Sequence, residues 1–182
     1  SAMKHVAGPR TELKIRTVFN ILGPLTNPAG ACGQVEGVFS PSLVELTAKV
    51  LAALGTRHAF VVAGHDGLDE LTLGGTSAVA ETQGGEVRCY EVAPEDFGLA
   101  RAPKEALAGA DAAKNAELLT DVLKGAKGPH RDIVLLNAAP AIIAGQAAND
   151  WPAAIEAAAA SIDSGAAQAA LEGLVRVSNH AG

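Results

Sequence analysis

The sequence predicts an α/β fold: a mostly parallel sheet flanked by helices, with one antiparallel hairpin. Three observations carry this. Residues Gln34 to Ala63 read as strand, helix, strand, which is the length and pattern of one βαβ unit. Thr76 to Glu81 and Val87 to Val92 alternate apolar and polar positions around Gln83-Gly84-Gly85, which is a hairpin signal. From Pro103 onward the pattern turns helical.

The elements follow in order. Pro9 opens a short helical run to Leu13, and Thr17 caps a second, Val18 to Leu22, which Gly23-Pro24 ends. Gln34 to Phe39 is a strand with a glycine in its middle. Ser40-Pro41 then starts a helix, with Ser as cap and Pro at its first position. Leu43, Leu46, Val50 and Leu54 recur at helical spacing, and Gly55 ends the run. His58 to Ala63 is short, apolar and β-prone, as a buried strand is. His58 and His65 flank the segment that follows and read as polar surface. Asp111 caps a helix running to Lys124, with Asn115 inside it as a capping or packing contact. Ile133 to Ala148 is a buried apolar helix. Trp151 to Val177 is Ala-rich and reads as two helices broken near Asp163-Ser164-Gly165. Leu171, Leu174 and Val175 give the second an amphipathic, packed face.

Length and composition bound the function. The chain has 182 residues, within the usual range of one domain. Hydrophobic residues make up 48% and aromatics 3%, so the core must be built from Ala, Val, Leu and Ile. A net charge of -6 argues against nucleic acid as the main partner. No run approaches the ~20 apolar residues that cross a membrane, and nothing at the start resembles a signal peptide. Cys32 and Cys89 form neither a metal-spaced pair nor a disulfide framework, which suits a reducing, cytoplasmic location.

The stretch Gly64 to Glu81, GHDGLDELTLGGTSAVAE, carries the chemistry. Asp66, Asp69 and Glu70 fall within five positions, among Gly64, Gly67, Gly74 and Gly75. They follow a buried strand, and in open α/β sheets ligands gather at the carboxyl ends of strands. Adjacent carboxylates suit Mg2+, which takes one or two of them and fills its other positions with water and substrate phosphates. The same residues also suit an acidic turn that stays solvated. Upstream, Arg10 and Arg16 are candidates for bidentate recognition of a carboxylate or phosphate, and equally for solvated surface.

RTVFNILGPLTNP, at Arg16 to Pro28, followed by GHDGLDELTLGGTS resembles anthranilate phosphoribosyltransferase, with the two motifs in that family's order and spacing. PEDFGL at Pro94 to Leu99, GADAAKNA at Gly109 to Ala116, LLNAAPA at Leu135 to Ala141 and SIDSGAA at Ser161 to Ala167 agree with it. The resemblance implies a nucleoside phosphorylase/phosphoribosyltransferase-like C-terminal α/β domain, spanning residues 1–182 and incomplete at its N-terminal side. It implies transfer of phosphoribosyl from phosphoribosyl pyrophosphate to anthranilate, in tryptophan biosynthesis. It places Arg10 where an arginine grips anthranilate, Pro24 on the anthranilate channel, and Asp69 and Glu70 on the pair that holds one Mg2+. No catalytic residue is implied beyond these positioning groups. It also implies a homodimer joined through a helical N-terminal domain.

Lys14 stands where the family usually has Gly, and Pro140 where it usually has Ala. Pro140 is tolerable in the first turn of a helix starting near Asn137. The Gly-Thr-Gly-Gly-Asp loop that cradles pyrophosphate, and a Lys-His-Gly-Asn-Arg segment that contacts both substrates, do not occur in these 182 residues. The expectation is therefore a C-terminal portion that is inactive alone. Two alternatives are a pyrimidine nucleoside phosphorylase-like enzyme, whose Arg and Ser-Lys pattern is not found here, and a non-catalytic nucleic-acid-binding relative. The net charge and the Asp69-Glu70 pair argue against the latter.

Overall fold

The computed structural model describes residues 29–180 continuously and, before them, Gly8, Glu12, Leu22, Gly23, Leu25 and Thr26. The chain divides into two compact units, Ser1–Ala31 and Cys32–Gly182. Within the first, the Thr26 hydroxyl donates to the Leu22 carbonyl at 2.9 Å and its N–H to the Gly23 carbonyl at 3.2 Å, closing a turn. Arg10, Lys14, Arg16 and Pro24 lie outside the described residues.

The second unit is the α/β layer. Its strands are β1 (Gly33–Gly37), β2 (His58–Gly64), β3 (Ser77–Gln83) and β4 (Glu86–Val92). Its helices are α1 (Val44–Ala53), α2 (Ala112–Leu123), α3 (Pro129–Ala144), α4 (Trp151–Asp163) and α5 (Ala166–His180). Short 3-10 turns lie at Pro41–Leu43, Pro94–Phe97 and Lys104–Leu107. The sheet order is β1-β2-β3-β4. The helix-linked pair β1 and β2 is parallel, with Val35 opposite Phe60. Segment 65–76 contains no helix to carry the chain back, so β3 returns antiparallel to β2. The α/β class and the hairpin are as expected, but among the described strands parallel pairing is confined to one pair. Gly84 and Gly85 form the two-residue hairpin turn, with φ of 59° and 90°, a conformation that disfavours side chains.

Side chains alternate across a strand, so β2 feeds two packed faces, and all seven of its residues are buried. Phe60 and Val62 join Leu71, Leu73, Leu136 and Ala139 in the main core, beneath α3 and α4. Each such large apolar side chain contributes about 1.5–3 kcal/mol on full burial. On the other side α1 packs against β2, β3 and β4. Its buried face is Val44, Thr47, Ala48 and Leu51. Of the leucines that recur at helical spacing, Leu46 is 59% and Leu54 62% exposed. Small Thr47 and Ala48 let the helix sit close to an alanine-rich sheet. The leucines that dominate the periodicity lie on the opposite side.

Three further expectations change. Helix α3 starts at Gly128-Pro129, earlier than expected, so Pro140 lies well inside it and is buried. There it has no N–H to give the helix. His58 is 4% exposed, not surface. Its Nε2 lies 2.9 Å from Glu81 Oε1, and Glu81 Oε2 also accepts from Arg88 (2.8 Å) and Tyr90 (3.1 Å). Burial works to raise the Glu81 carboxyl, but the bonds from Arg88, His58 and Tyr90 prevail and hold it low. Helix α5 forms as expected after the break, but Leu174 and Val175 are exposed at 66% and 50%. The Asp111 cap holds: its carboxylate accepts from the Lys114 N–H at 2.8 Å. Asn115 makes the expected local contact, its Oδ1 accepting from the Ala110 N–H at 2.8 Å.

Glu36 in β1 is 4% exposed, and its Oε2 has no hydrogen-bond partner among the described residues. Burial pushes its carboxyl up to about 7. Released from the fold, it titrates near the ordinary 4.5. Between those values the native state keeps a proton that the unfolded chain gives up, so stability falls as pH rises through this window. Glu36→Gln should therefore raise Tm above the parent's at about pH 8, with the gap closing towards about pH 4.5. Thermal melts at the two pH values test this, and a gap independent of pH would refute it.

Candidate active site at the carboxyl ends of the parallel strands

Strand β2 ends at Gly64, where the chain enters the acidic loop. Gly67, at φ 89°, allows a tight turn in which its N–H bonds the Gly64 carbonyl at 3.1 Å. The Gly64 N–H bonds the Leu68 carbonyl at 2.9 Å. Asp66 is a loop staple and does not join the other two carboxylates as a ligand candidate. Its Oδ1 accepts from the Leu68 N–H (3.2 Å) and its Oδ2 from the Thr72 hydroxyl (2.6 Å). The Thr72 hydroxyl in turn accepts from the Gly74 N–H at 2.8 Å. Leu71, Thr72 and Leu73 are buried, which ties the loop to the core.

Asp69 and Glu70 stand between these anchors, both exposed, and line one cleft of about 500 Å³. Its other walls come from the 3-10 turn (Lys104, Glu105, Leu107) and the first turns of α3 (His130, Ile133). Among the described residues neither carboxylate is engaged in an ion pair or hydrogen bond. The N-terminus of α3 adds positive dipole to this side of the cleft. Leu107, His130 and Ile133 also line a neighbouring apolar cleft of about 430 Å³ between α2 and α3. His130 was not singled out from sequence. Its Nε2 is buried without a partner among the described residues, at the wall the two clefts share. Its position after Gly128-Pro129, a helix-start signal, could have placed it in the first turn of α3.

The donor set suits a hard divalent cation that keeps ligands from elsewhere. Two adjacent, uncommitted carboxylates in an open cleft are what Mg2+ uses beside substrate phosphates. They are not a closed cage: among the described residues no group of three or more His, Cys, Asp or Glu side chains could hold a metal. Another hollow, about 280 Å³ over the hairpin, is lined by Glu81, Gln83, Glu86, Val87 and Arg88. It lies at the far end of the sheet from Gly64, and Glu81 and Arg88 there are committed to each other.

A family model described as "Glycosyl transferase family, a/b domain" matches residues 1–168. The chain belongs to that glycosyl transferase family. The similar proteins include several anthranilate phosphoribosyltransferases. The one from Citrifermentans bemidjiense is 55% identical over 180 residues, 99% of this chain and 51% of that protein. One from Rhodopseudomonas palustris is 52% identical, over 97% of this chain and 52% of its own length. Among solved structures, the enzyme from Thermus thermophilus superposes with a TM-score of 0.86 at 45% identity, over 94% of this chain and 50% of that one. The Saccharomyces cerevisiae enzyme in complex with PRPP and Mg superposes at 0.82 with 33% identity, over 93% of this chain and 49% of its own. The chain thus spans about half the length of the relatives it matches. No described helix is long and apolar enough to cross a membrane.

Proposed function

We propose that the chain is the C-terminal part of an anthranilate phosphoribosyltransferase, a pentosyltransferase that moves phosphoribosyl from phosphoribosyl pyrophosphate to anthranilate. The observation that carries the reading is the uncommitted Asp69-Glu70 pair, standing in a cleft at the carboxyl ends of β1 and β2. Its placement in a chain 55% identical to such an enzyme supports the assignment.

In this reaction the amine nitrogen of anthranilate bonds to the anomeric carbon, the bond from that carbon to pyrophosphate breaks, and the amine gives up a proton. The aromatic amine is already a nucleophile, so the protein's main task is alignment. Bound Mg2+ would screen the negative charge that grows on the departing pyrophosphate. Asp69 and Glu70 would hold it, from a loop that Leu71 and Leu73 fasten to the core. Lys104, in the same cleft, adds a cation. We assign Arg10 to the anthranilate carboxylate and Pro24 to the wall of the anthranilate channel. We place the whole enzyme in the cytoplasm, as a homodimer joined through its helical domain, with neither membrane nor nucleic acid as partner.

Assaying phosphoribosyl anthranilate formation by the full-length protein tests this reading, and absence of turnover with both substrates and Mg2+ would end it. Within that enzyme, Arg10→Ala should raise KM for anthranilate by about ten- to a hundredfold, from one lost charge-assisted contact of about 1.5–3 kcal/mol. KM for phosphoribosyl pyrophosphate should move far less, and equal losses for both would reassign Arg10 to a structural role.

A further inference from the structure

The acidic loop is gripped from outside by a single side chain. Asn137, in the third turn of α3, accepts the Leu71 N–H on Oδ1 at 2.9 Å and donates from Nδ2 to the Leu71 carbonyl at 2.9 Å. Nδ2 also donates to the Ile133 carbonyl of its own helix at 3.1 Å, which fixes the direction of the amide. A carboxamide offers a donor and an acceptor side by side and so satisfies both backbone groups of one residue. Leu71 is fully buried, so without this partner its N–H and carbonyl would be left dry and unpaired. A second element seats the loop. Any side chain at Gly37, the last residue of β1, would overlap the Asp69 carbonyl.

The backbones of Asp69 and Leu71, one on each side of Glu70, are thus seated on two different elements, β1 and α3. Neither contact uses a carboxylate oxygen of Asp69 or Glu70. From this arrangement we infer that Asn137 and Gly37 are positioning residues for the Asp69-Glu70 pair. They hold the loop backbone while leaving both carboxylates open to a cation-bearing phosphate ligand. The inference rests on the function proposed above and names two residues that set the site's geometry without touching substrate.

The test uses the full-length enzyme and five variants. Asn137→Ala removes the grip. Asn137→Asp keeps an acceptor for the Leu71 N–H but sets a carboxylate against the Leu71 carbonyl. Gly37→Ala pushes on Asp69 from beneath. Arg131→Met is a control in the same helix: Arg131 bonds Asp163 of α4 at 2.8 Å and lies outside the loop. Without metal or substrate, hydrogen exchange at the amides of residues 68–72 should quicken by about tenfold or more in the Asn137 variants, with the β1–β4 amides unchanged. The Mg2+ concentration giving half-maximal rate should rise by about tenfold, while KM for anthranilate stays within about twofold. Wild-type loop protection together with a wild-type Mg2+ requirement in the Asn137 variants would overturn the inference. So would an equal Mg2+ shift in Arg131→Met, which would mark the effect as general loosening. If Asn137→Ala does not fold, Asn137→Asp and Gly37→Ala decide the matter by the same readouts. An Asp69→Asn, Glu70→Gln arm separates the two failures. If it leaves the Mg2+ requirement unmoved, the metal assignment falls, and the exchange data alone judge the grip.

Discussion

In the full-length enzyme, the double change Asp69→Asn, Glu70→Gln should lower kcat by about a hundredfold or more, the scale of losing a preorganised charge partner in a transition state. Thermal stability should barely move. Both side chains are exposed, neither engages another described side chain, and the loop's anchors are others: Asp66 with Thr72, Asn137 with Leu71, and the buried Leu71 and Leu73. Asn and Gln keep the shape of the carboxylates and remove the charge, so a loss confined to kcat reads the charge alone. Excess Mg2+ should restore little, because the amides are poor ligands for a hard cation in a site that depends on carboxylate charge. Steady-state kinetics at saturating Mg2+, paired with a thermal melt, give the answer. Undiminished kcat would remove the pair from the reaction, and a large fall in Tm would make it structural.

The 182-residue chain alone should show no turnover. Holding two reactants in line accounts for about 7–11 kcal/mol of a bimolecular barrier, so losing half of the clamp costs at least about 10⁵-fold in rate. The chain spans about half the length of its relatives, and its described residues offer two carboxylates and no group of three or more metal-ligating side chains. A cation that relies on substrate phosphates for its remaining ligands has little hold on such a site by itself. The assay is phosphoribosyl anthranilate formation by the purified chain, with mass spectrometry to exclude longer species. A rate near that of the full-length enzyme would show that the site lies wholly within these residues.

Much of this fold was legible because local signals agreed with the global arrangement. Gly84-Gly85 between alternating runs named the hairpin, Asp111 and Gly125 bracketed α2, and Ser164-Gly165 split the last two helices. Other features depended on partners far along the chain. The periodicity of α1 admitted two phases, and only contact with the sheet selects Thr47 and Ala48 over Leu46 and Leu54. The burial of His58 depends on Glu81, 23 residues on in the neighbouring strand. Helix α3 was started late because its apolar content begins at Ile133, although Gly128-Pro129 already marked a helix start. At the site, Asp69 and Glu70 were visible as a pair in the sequence. Which carboxylates were free was not: Asp66 is spent on Thr72 and Leu68, and nothing local reveals that. The grip of Asn137 on Leu71 spans 66 positions and has no sequence signature of its own.

The chain has one tryptophan, and its place gives the molecule a built-in optical gauge. Trp151 opens α4, stacks on Phe97 at 5.1 Å between ring centroids, meets Phe60 edge-on at 5.8 Å, and donates its indole N–H to the Tyr90 hydroxyl at 3.3 Å. Those three partners belong to the 3-10 turn after the hairpin, to β2 and to β4. The emission of a single indole therefore follows the closure of the sheet, the turn and α4 upon one another. Because Glu81 bonds both Tyr90 and His58, a disturbance starting at the foot of β2 reaches the same ring through three hydrogen bonds. Asp69, Glu70 and Asn137 are not among the ring's partners, so fluorescence can monitor the integrity of this packing while substitutions are made at the site.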